Sequence, residues 1–163
     1  MDVALTLNDL LPGAAYRGSL TADDQTAFDA LEWLDDRPKP LWSAMVAAAA
    51  AGFRDILIAY AANLRWRKEI AGITVAGIPV ATDDRSKLMI TGARIAAMAN
   101  PDWTTVWHGA DGQTYPIDAA AMVAISDAVQ AHVNSGFATF ASVKAAVEEG
   151  MTITTAEIDA AFP

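Results

Sequence analysis

Residues 42–72 read WSAMVAAAAAGFRDILIAYAANLRWRKEIAG, a proline-free stretch that keeps helical periodicity from end to end. It predicts one long helix over about residues 42–71. Six of its residues, spaced alternately four and three apart, would form a continuous seam: Val46, Ala50, Phe53, Leu57, Tyr60 and Leu64. The seam fits two structures, a core helix packed inside one domain and a coiled coil between copies of the chain.

Two charged residues near the middle of this helix bear on whether it crosses a membrane. Arg54 and Asp55 interrupt the apolar run, so the roughly 20 uninterrupted apolar residues of a membrane span are missing. The sequence therefore predicts a soluble helix and no membrane span. Residues 1–5 lack the basic and apolar regions of a secretory signal, so we expect no export by that route.

The composition bounds the fold and excludes several kinds of site. At 163 residues, the chain is long enough for one domain with a core, or for one domain with an appended arm. Its hydrophobic share is 53% and its charged share 19%, which argues against intrinsic disorder. It contains no cysteine, which excludes disulfides, thiolate zinc sites and a cysteine nucleophile.

The net charge of −9 is unevenly distributed along the chain. Residues 1–40 carry eight acids and three bases, residues 41–100 four acids and seven bases, and residues 101–163 eight acids and one base. An acidic chain without a large basic field is a poor candidate for nucleic-acid binding, because phosphate contacts dominate that affinity. The basic cluster of Arg65, Arg67 and Lys68 complements the dipole at the end of the long helix. The basic middle and the acidic flanks suggest contacts with each other, within a chain or between chains.

The first 40 residues predict an acidic N-terminal arm. A short helix or turn near Leu5 is followed by a loop, and a second short helix is expected to start at Thr21 and run to Leu34. Pro38 and Pro40 stop that helix, because proline disfavours helical geometry in the residue before it. The sequence thus predicts two parts, an arm over 1–40 with a Pro-rich hinge and a helix-rich domain over 41–163.

Beyond the long helix, the periodicity predicts two β-hairpins and several helices. The hairpins are expected at about 73–82 and 103–117, the second with a turn at Asp111-Gly112. Helices should begin after Thr82-Asp83 and after Asp118, the latter ending near residues 134–136 with a further helix from Phe137. A capping box over residues 154–157 predicts a last helix. The predicted fold class is helix-rich α+β.

The sequence offers little recognisable active-site chemistry. His108 and His132 are not in a metal-ligand spacing, and we interpret them as a surface residue and as a helix C-terminal dipole partner. Asp83 and Asp84 suit helix capping better than a cation site. Phosphate-binding glycine loops and the nucleophile elbow are also missing. We therefore predict no catalytic, cofactor-binding or metal-binding residues. The five tryptophans suit core or interface anchoring better than a sugar-stacking surface.

Residues 65–83, RWRKEIAGITVAGIPVATD, resemble the opening of a phage and prophage tail-associated family catalogued as domain of unknown function 4376. The resemblance runs through the helix capped at Thr82-Asp83, the strand pair containing Trp107, and helices around His132 and Phe137, covering about residues 60–160. Residues 37–42 also resemble the Pro-rich junction of small proteins encoded near phage tail fibres.

The resemblance implies a non-enzymatic tail protein, either a structural component of the virion or an interaction protein associated with a tail fibre. It supplies no active-site residues. The alternatives are an assembly chaperone for a tail fibre and, behind it, a carbohydrate-directed enzyme. The expected partners are other tail or fibre proteins and further copies of the chain, with a trimer favoured because tail fibres are trimeric. The expected location is the virion tail, or the host cytoplasm during assembly.

Overall fold

The computed structural model describes residues 1–162 and has the predicted helix-rich α+β fold. Within those residues, six helices and six short strands follow one another in this order: α1 (Val3–Leu10), β1 (Tyr16–Arg17), α2 (Gln25–Asp29), β2 (Glu32–Trp33), α3 (Trp42–Glu69), β3 (Ile73–Val75), β4 (Ile78–Val80), α4 (Asp84–Ala99), β5 (Thr104–His108), β6 (Thr114–Asp118), α5 (Ala119–Glu148) and α6 (Thr155–Ala161). The predicted long helix is confirmed as α3. The chain divides into two compact units, Met1–Ile56 and the part from Leu57 onward.

The first unit is built around a small apolar core that includes the start of α3. Its buried residues are Val3, Leu7, Phe28, Leu31 and Met45. The ring centroids of Phe28 and Trp42 are 5.7 Å apart, and the Lys39 ammonium lies 4.8 Å above the Phe28 ring. The first 40 residues therefore pack against the first turns of α3 as part of one folded unit.

The prediction of one helix from Thr21 to Leu34 was wrong. Asp24 is the N-cap of α2 and accepts a hydrogen bond from the Ala27 backbone, so the helix starts later and lasts five residues. Beyond it, Glu32 and Trp33 form β2, which pairs antiparallel with β1. Backbone pairing with a strand 15 residues earlier in the chain keeps this segment extended, and local helical periodicity does not reveal such a distant partner.

The second unit contains the two predicted hairpins, and both are confirmed. Ile73 pairs with Val80 across β3 and β4, and Thr104 pairs with Asp118 across β5 and β6. Ala76 and Gly77 have φ values of 50° and 82°, the positive values that a two-residue type I′ turn requires at both positions. The Ala110 backbone N–H donates to the Pro79 carbonyl over 2.9 Å, so the second hairpin is hydrogen-bonded to the first.

Two apolar cores hold the second unit together. One lies between the hairpins, α4 and the first half of α5, and its buried residues include Val80, Ile90, Ile117, Met122 and Ile125. The other joins the second half of α3 to the end of α5 and to α6, with Leu57, Ala61, Leu64, Val143, Val147, Ile158 and Phe162. Helix α5 lines both cores and connects them.

The expected helix end near residues 134–136 was wrong, because α5 runs without a break from Ala119 to Glu148. A Cβ built on Gly136 would lie 3.6 Å from the Arg65 Cγ, and the Arg65 guanidinium lies 4.1 Å from the Phe137 ring centroid. Packing against α3 on this side stabilises a helix through residues that by themselves favour a helix end.

Helix α3 is long and apolar enough to cross a membrane by length and composition, with a mean hydropathy of 1.5 over 18 residues. Met45 in its first turn is buried in the core of the first unit, and Leu57 in its second half is buried in the core of the second. The eleven residues between these two positions span about 16 Å as a helix, roughly half the thickness of the hydrocarbon core. The stretch between these two buried positions is therefore shorter than a membrane span.

Candidate functional site

The six residues of the predicted seam lie in two different environments. Leu57 and Leu64 are buried within the second unit, and Tyr60 packs at the edge of the same core and donates to Asp159 over 2.6 Å. Val46, Ala50 and Phe53 are exposed. Contact between copies through this seam is therefore a prediction for the exposed residues, whereas Leu57 and Leu64 already have partners within the chain.

The charged end of α3 is tied to α4 by a partly buried ion-pair cluster. The Glu69 carboxylate accepts from Lys87 Nζ at 2.6 Å and from Arg65 at 2.5 Å. Glu69 is the most enclosed of the three side chains, and Lys87 also reaches Asp84 at 3.0 Å. The cluster joins one turn of α3 to the first turn of α4, 18 residues further along the chain.

The last carbonyls of α3 are occupied by side chains from other elements. The fully buried Thr82 hydroxyl donates to the Glu69 carbonyl over 2.5 Å and accepts from the Gly72 N–H over 2.9 Å. His132 Nε2 lies 3.1 Å from the Lys68 carbonyl. The expectation that His132 ends its own helix was wrong, since α5 continues for 16 residues beyond it. The helix end that this imidazole contacts is that of α3.

The surroundings of Glu69 hold its pKa below the ordinary value near 4.5, chiefly through the hydrogen bond from Lys87. A carboxylate whose pKa is lower in the folded state stabilises the fold above its unfolded pKa, and this stabilisation is lost as pH falls through the folded value. The cluster should therefore stabilise the second unit at neutral pH and lose that effect below about pH 4.5.

Replacing Glu69 by glutamine should destabilise the protein by about 1–3 kcal/mol at pH 7, because two charge-assisted hydrogen bonds are lost. The difference from wild type should shrink as the pH falls below about 4.5. Urea unfolding at several pH values measures both effects. Glu148→Gln is the matched control, since its pair with Lys144 is half-exposed and should be worth less than about 1 kcal/mol. Equal losses in the two variants, or a loss independent of pH for Glu69→Gln, would contradict this assignment.

The other polar residues considered from the sequence have structural partners. Asp83 caps α4 by accepting from the Ser86 backbone over 3.1 Å. Asp111 accepts from the Tyr115 hydroxyl over 2.7 Å and from the Gln113 N–H over 3.0 Å. The Tyr115 bond is the main cause of the lowered Asp111 pKa. Within residues 1–162, no group of three His, Asp or Glu side chains is placed to hold a metal ion.

An aromatic groove of about 410 Å³ lies between α4 and β5. Met89 and Ala93 form one wall, and Trp103, Trp107 and His108 line the other. His108 is exposed on β5, which agrees with its interpretation as a surface residue. The indole rings also pack on the hairpin core, so the groove has an apolar floor and a single imidazole at its edge.

Sequence reasoning missed the Glu69 cluster and the hydrogen bonds that Thr82 makes beside it. The available signal was the excess of basic residues at the end of α3, which we interpreted as dipole compensation alone. Glu69 lies among those residues, and a partly buried acid there is stabilised by nearby cations. The partner, Lys87, follows a hairpin, and its distance in sequence hides the pair.

The family described as Domain of unknown function (DUF4376) matches residues 52–162, about two thirds of the chain. The protein belongs to this family. The matched range contains the Glu69 cluster, both predicted hairpins, the aromatic groove and helices α4 to α6. No curated protein and no solved structure matched the chain. Family membership thus covers the second unit and the last turns before it, whereas residues 1–51 lie outside the match.

Proposed function

We propose that this DUF4376 protein is a non-enzymatic component of a phage or prophage tail, acting as a structural or tail-fibre-associated interaction protein. The tail context comes from the resemblance of residues 65–83 and the elements after them to a tail-associated family. The observation that supports an interaction role is the exposed apolar surface of α3, where Val46, Phe53 and Ile56 face solvent. Exposed large apolar residues on one helix are typical of protein-binding surfaces.

The proposal includes self-association through this exposed part of α3. Val46 and Phe53 are seven residues apart, with Ala50 between them, and so lie on one face of the helix. The alanines allow close approach but bury little area, so the two larger side chains should dominate the contact. A trimer is favoured by analogy with tail fibres.

The partners of the carboxylates support a non-enzymatic function. Asp83 and Asp118 cap helices, Asp111 stabilises a hairpin turn, and Glu69 is held between two cations. A general acid needs a pKa raised toward the working pH, whereas the pKa of Asp111 is lowered. A carbohydrate-directed enzyme is therefore the weaker alternative.

Mass spectrometry of purified phage particles, together with particles from a strain lacking this gene, tests the proposal. We expect the protein to be present in wild-type particles in a fixed ratio to a tail or fibre protein. Its absence from particles, combined with misfolded or missing fibres in the deletion strain, would favour a fibre-assembly chaperone instead. Hydrolysis of polysaccharide or peptidoglycan that is abolished by replacing His108 or Asp111 would overturn the non-enzymatic assignment.

A further inference from the structure

Helix α4 is apolar on two opposite faces, and residues 1–162 cover only one of them. Ile90 and Ala97 are buried in the core shared with α5. On the other side, Leu88, Ile95 and Met98 are 75%, 66% and 67% exposed. Their spacing of seven and three residues places them along one stripe of the helix. We call these three residues, together with Thr91 and Gly92 between them, the outer strip.

The outer strip is suited to close packing against another helix. A Cβ built on Gly92 meets no atom within 4 Å, so no packing among the described residues explains a residue that weakens the middle of a helix. The Thr91 hydroxyl already donates to the Lys87 carbonyl over 2.9 Å. Docking would therefore leave no side-chain polar group of the strip unpaired.

The charges at the two ends of the strip indicate which helix covers it. Arg85 is exposed at the start of α4, and no ion pair within residues 1–162 involves it. Its two acidic neighbours are engaged within the chain, since Asp84 pairs with Lys87 at 3.0 Å and Asp83 caps the helix. Asp102 is exposed three residues after the end of α4. An antiparallel second copy would bring Arg85 of each chain to Asp102 of the other, whereas a parallel copy would bring like charges together. Antiparallel pairing also repeats the same contact on both copies, as a two-fold interface requires.

We propose that the outer strip of α4 binds the outer strip of a second copy of this chain, antiparallel and across a two-fold axis. Gly92 of one copy then lies opposite Ile95 of the other. In this register Leu88 lies within about one residue, roughly 1.5 Å along the axis, of Met98 in the second copy. Measured along the helix axis, the two copies of Leu88 are about 16 Å apart, and the two copies of Met98 are about 14 Å apart.

Because the chain has no cysteine, single-cysteine variants can report this register directly. A disulfide forms only where the two Cα atoms come within about 7 Å. When full-length Leu88→Cys and Met98→Cys are mixed and mildly oxidised, we expect the mixed disulfide to form at least about tenfold faster than either symmetric disulfide, because only the mixed pair lies within this limit. Mass spectrometry of the linked peptides distinguishes the three products.

Every other outcome of the mixing experiment contradicts the proposal. Rapid symmetric disulfides in each single variant would mean a parallel pair. If no disulfide forms, and wild-type protein is either a monomer or a trimer through α3 alone, then the outer strip does not bind a second copy. The proposed tail function does not depend on this result, since the self-association proposed there uses the exposed residues of α3 and not the outer strip.

A second variant measures the affinity of the contact without a cysteine. Ile95→Glu places a charge in the centre of the strip at an exposed position, so the monomer should fold normally. We expect the dissociation constant of the dimer to rise by about 30-fold or more, as for a central interface residue. Ile153→Glu makes the same change at an exposed residue between α5 and α6 and should leave the constant unchanged. Equal constants for the two variants in sedimentation equilibrium would overturn the proposal.

Discussion

Leu57→Asp should unfold the core formed by α3, α5 and α6, whereas the same substitution at the preceding residue, Ile56→Asp, should leave that core folded. Leu57 is 3% exposed and Ile56 is 66% exposed, although they are adjacent in the chain. An aspartate at position 57 would bury an unpaired carboxylate among Ala61, Val143 and Val147. The cost of a buried unpaired charge together with the lost leucine should exceed about 4 kcal/mol.

Urea unfolding, monitored by far-UV circular dichroism, measures the difference in the free energy of unfolding between these two variants. For Ile56→Asp we expect a change of less than about 1 kcal/mol, since the side chain stays in water and only helix propensity changes. For Leu57→Asp, hydrogen exchange should show that the backbone amides of α6 and of the second half of α5 lose protection. If Leu57→Asp stays folded but forms a smaller oligomer than wild type, the result contradicts this expectation and indicates that Leu57 contacts another copy of the chain.

Phe28→Ala should destabilise the first unit by about 3–5 kcal/mol, the usual cost of removing a buried aromatic ring. Phe28 is 1% exposed and contacts both the Trp42 ring and the Lys39 ammonium, so the substitution removes the centre of a small core. Hydrogen exchange should show lost protection in α1, α2 and the first turns of α3. Protection in α4 and in the hairpins should remain, because their core contains no residue of the first unit.

Phe53→Ala is the matched control for Phe28→Ala, since it removes the same ring from a half-exposed position on α3. Alanine favours helix over phenylalanine by about half a kcal/mol, so the stability of a dilute monomer should hardly change. Light scattering of this control measures its self-association, and we expect the proposed contact between copies through α3 to be weaker than in wild type. Lost protection in the first unit for both variants alike would contradict the assignment of Phe28 to its core.

The split environment of the seam has a structural cause. The same face of α3 that carries Leu57 and Leu64 into the core of the second unit also carries Val46, Ala50 and Phe53 further back along the helix. The apolar period therefore continues past the residues that this core covers. A continuous seam in a sequence is compatible with burial along one half of a helix and exposure along the other.

The sequence by itself determined the features that depend on residues within about four positions of each other. These include the caps at Asp83 and Asp118, the capping box of Thr154 and Glu157, and the tight turn at Ala76-Gly77. A side chain that bonds the backbone three residues away, or a turn that needs positive φ, leaves its signal in neighbouring residues. The boundaries of α3 and the helix-rich α+β class follow from the same local physics.

Only the tertiary structure decided which equally apolar residues are buried and which distant polar groups meet. Leu57 and Ile56 have similar side chains and differ only in the direction of packing. The bond between Lys87 and Glu69 and the contact of His132 with the end of α3 join positions 18 and 64 residues apart, and α5 continues through residues 134–136 because α3 packs beside it. These outcomes depend on packing between elements distant in sequence, which local periodicity does not encode.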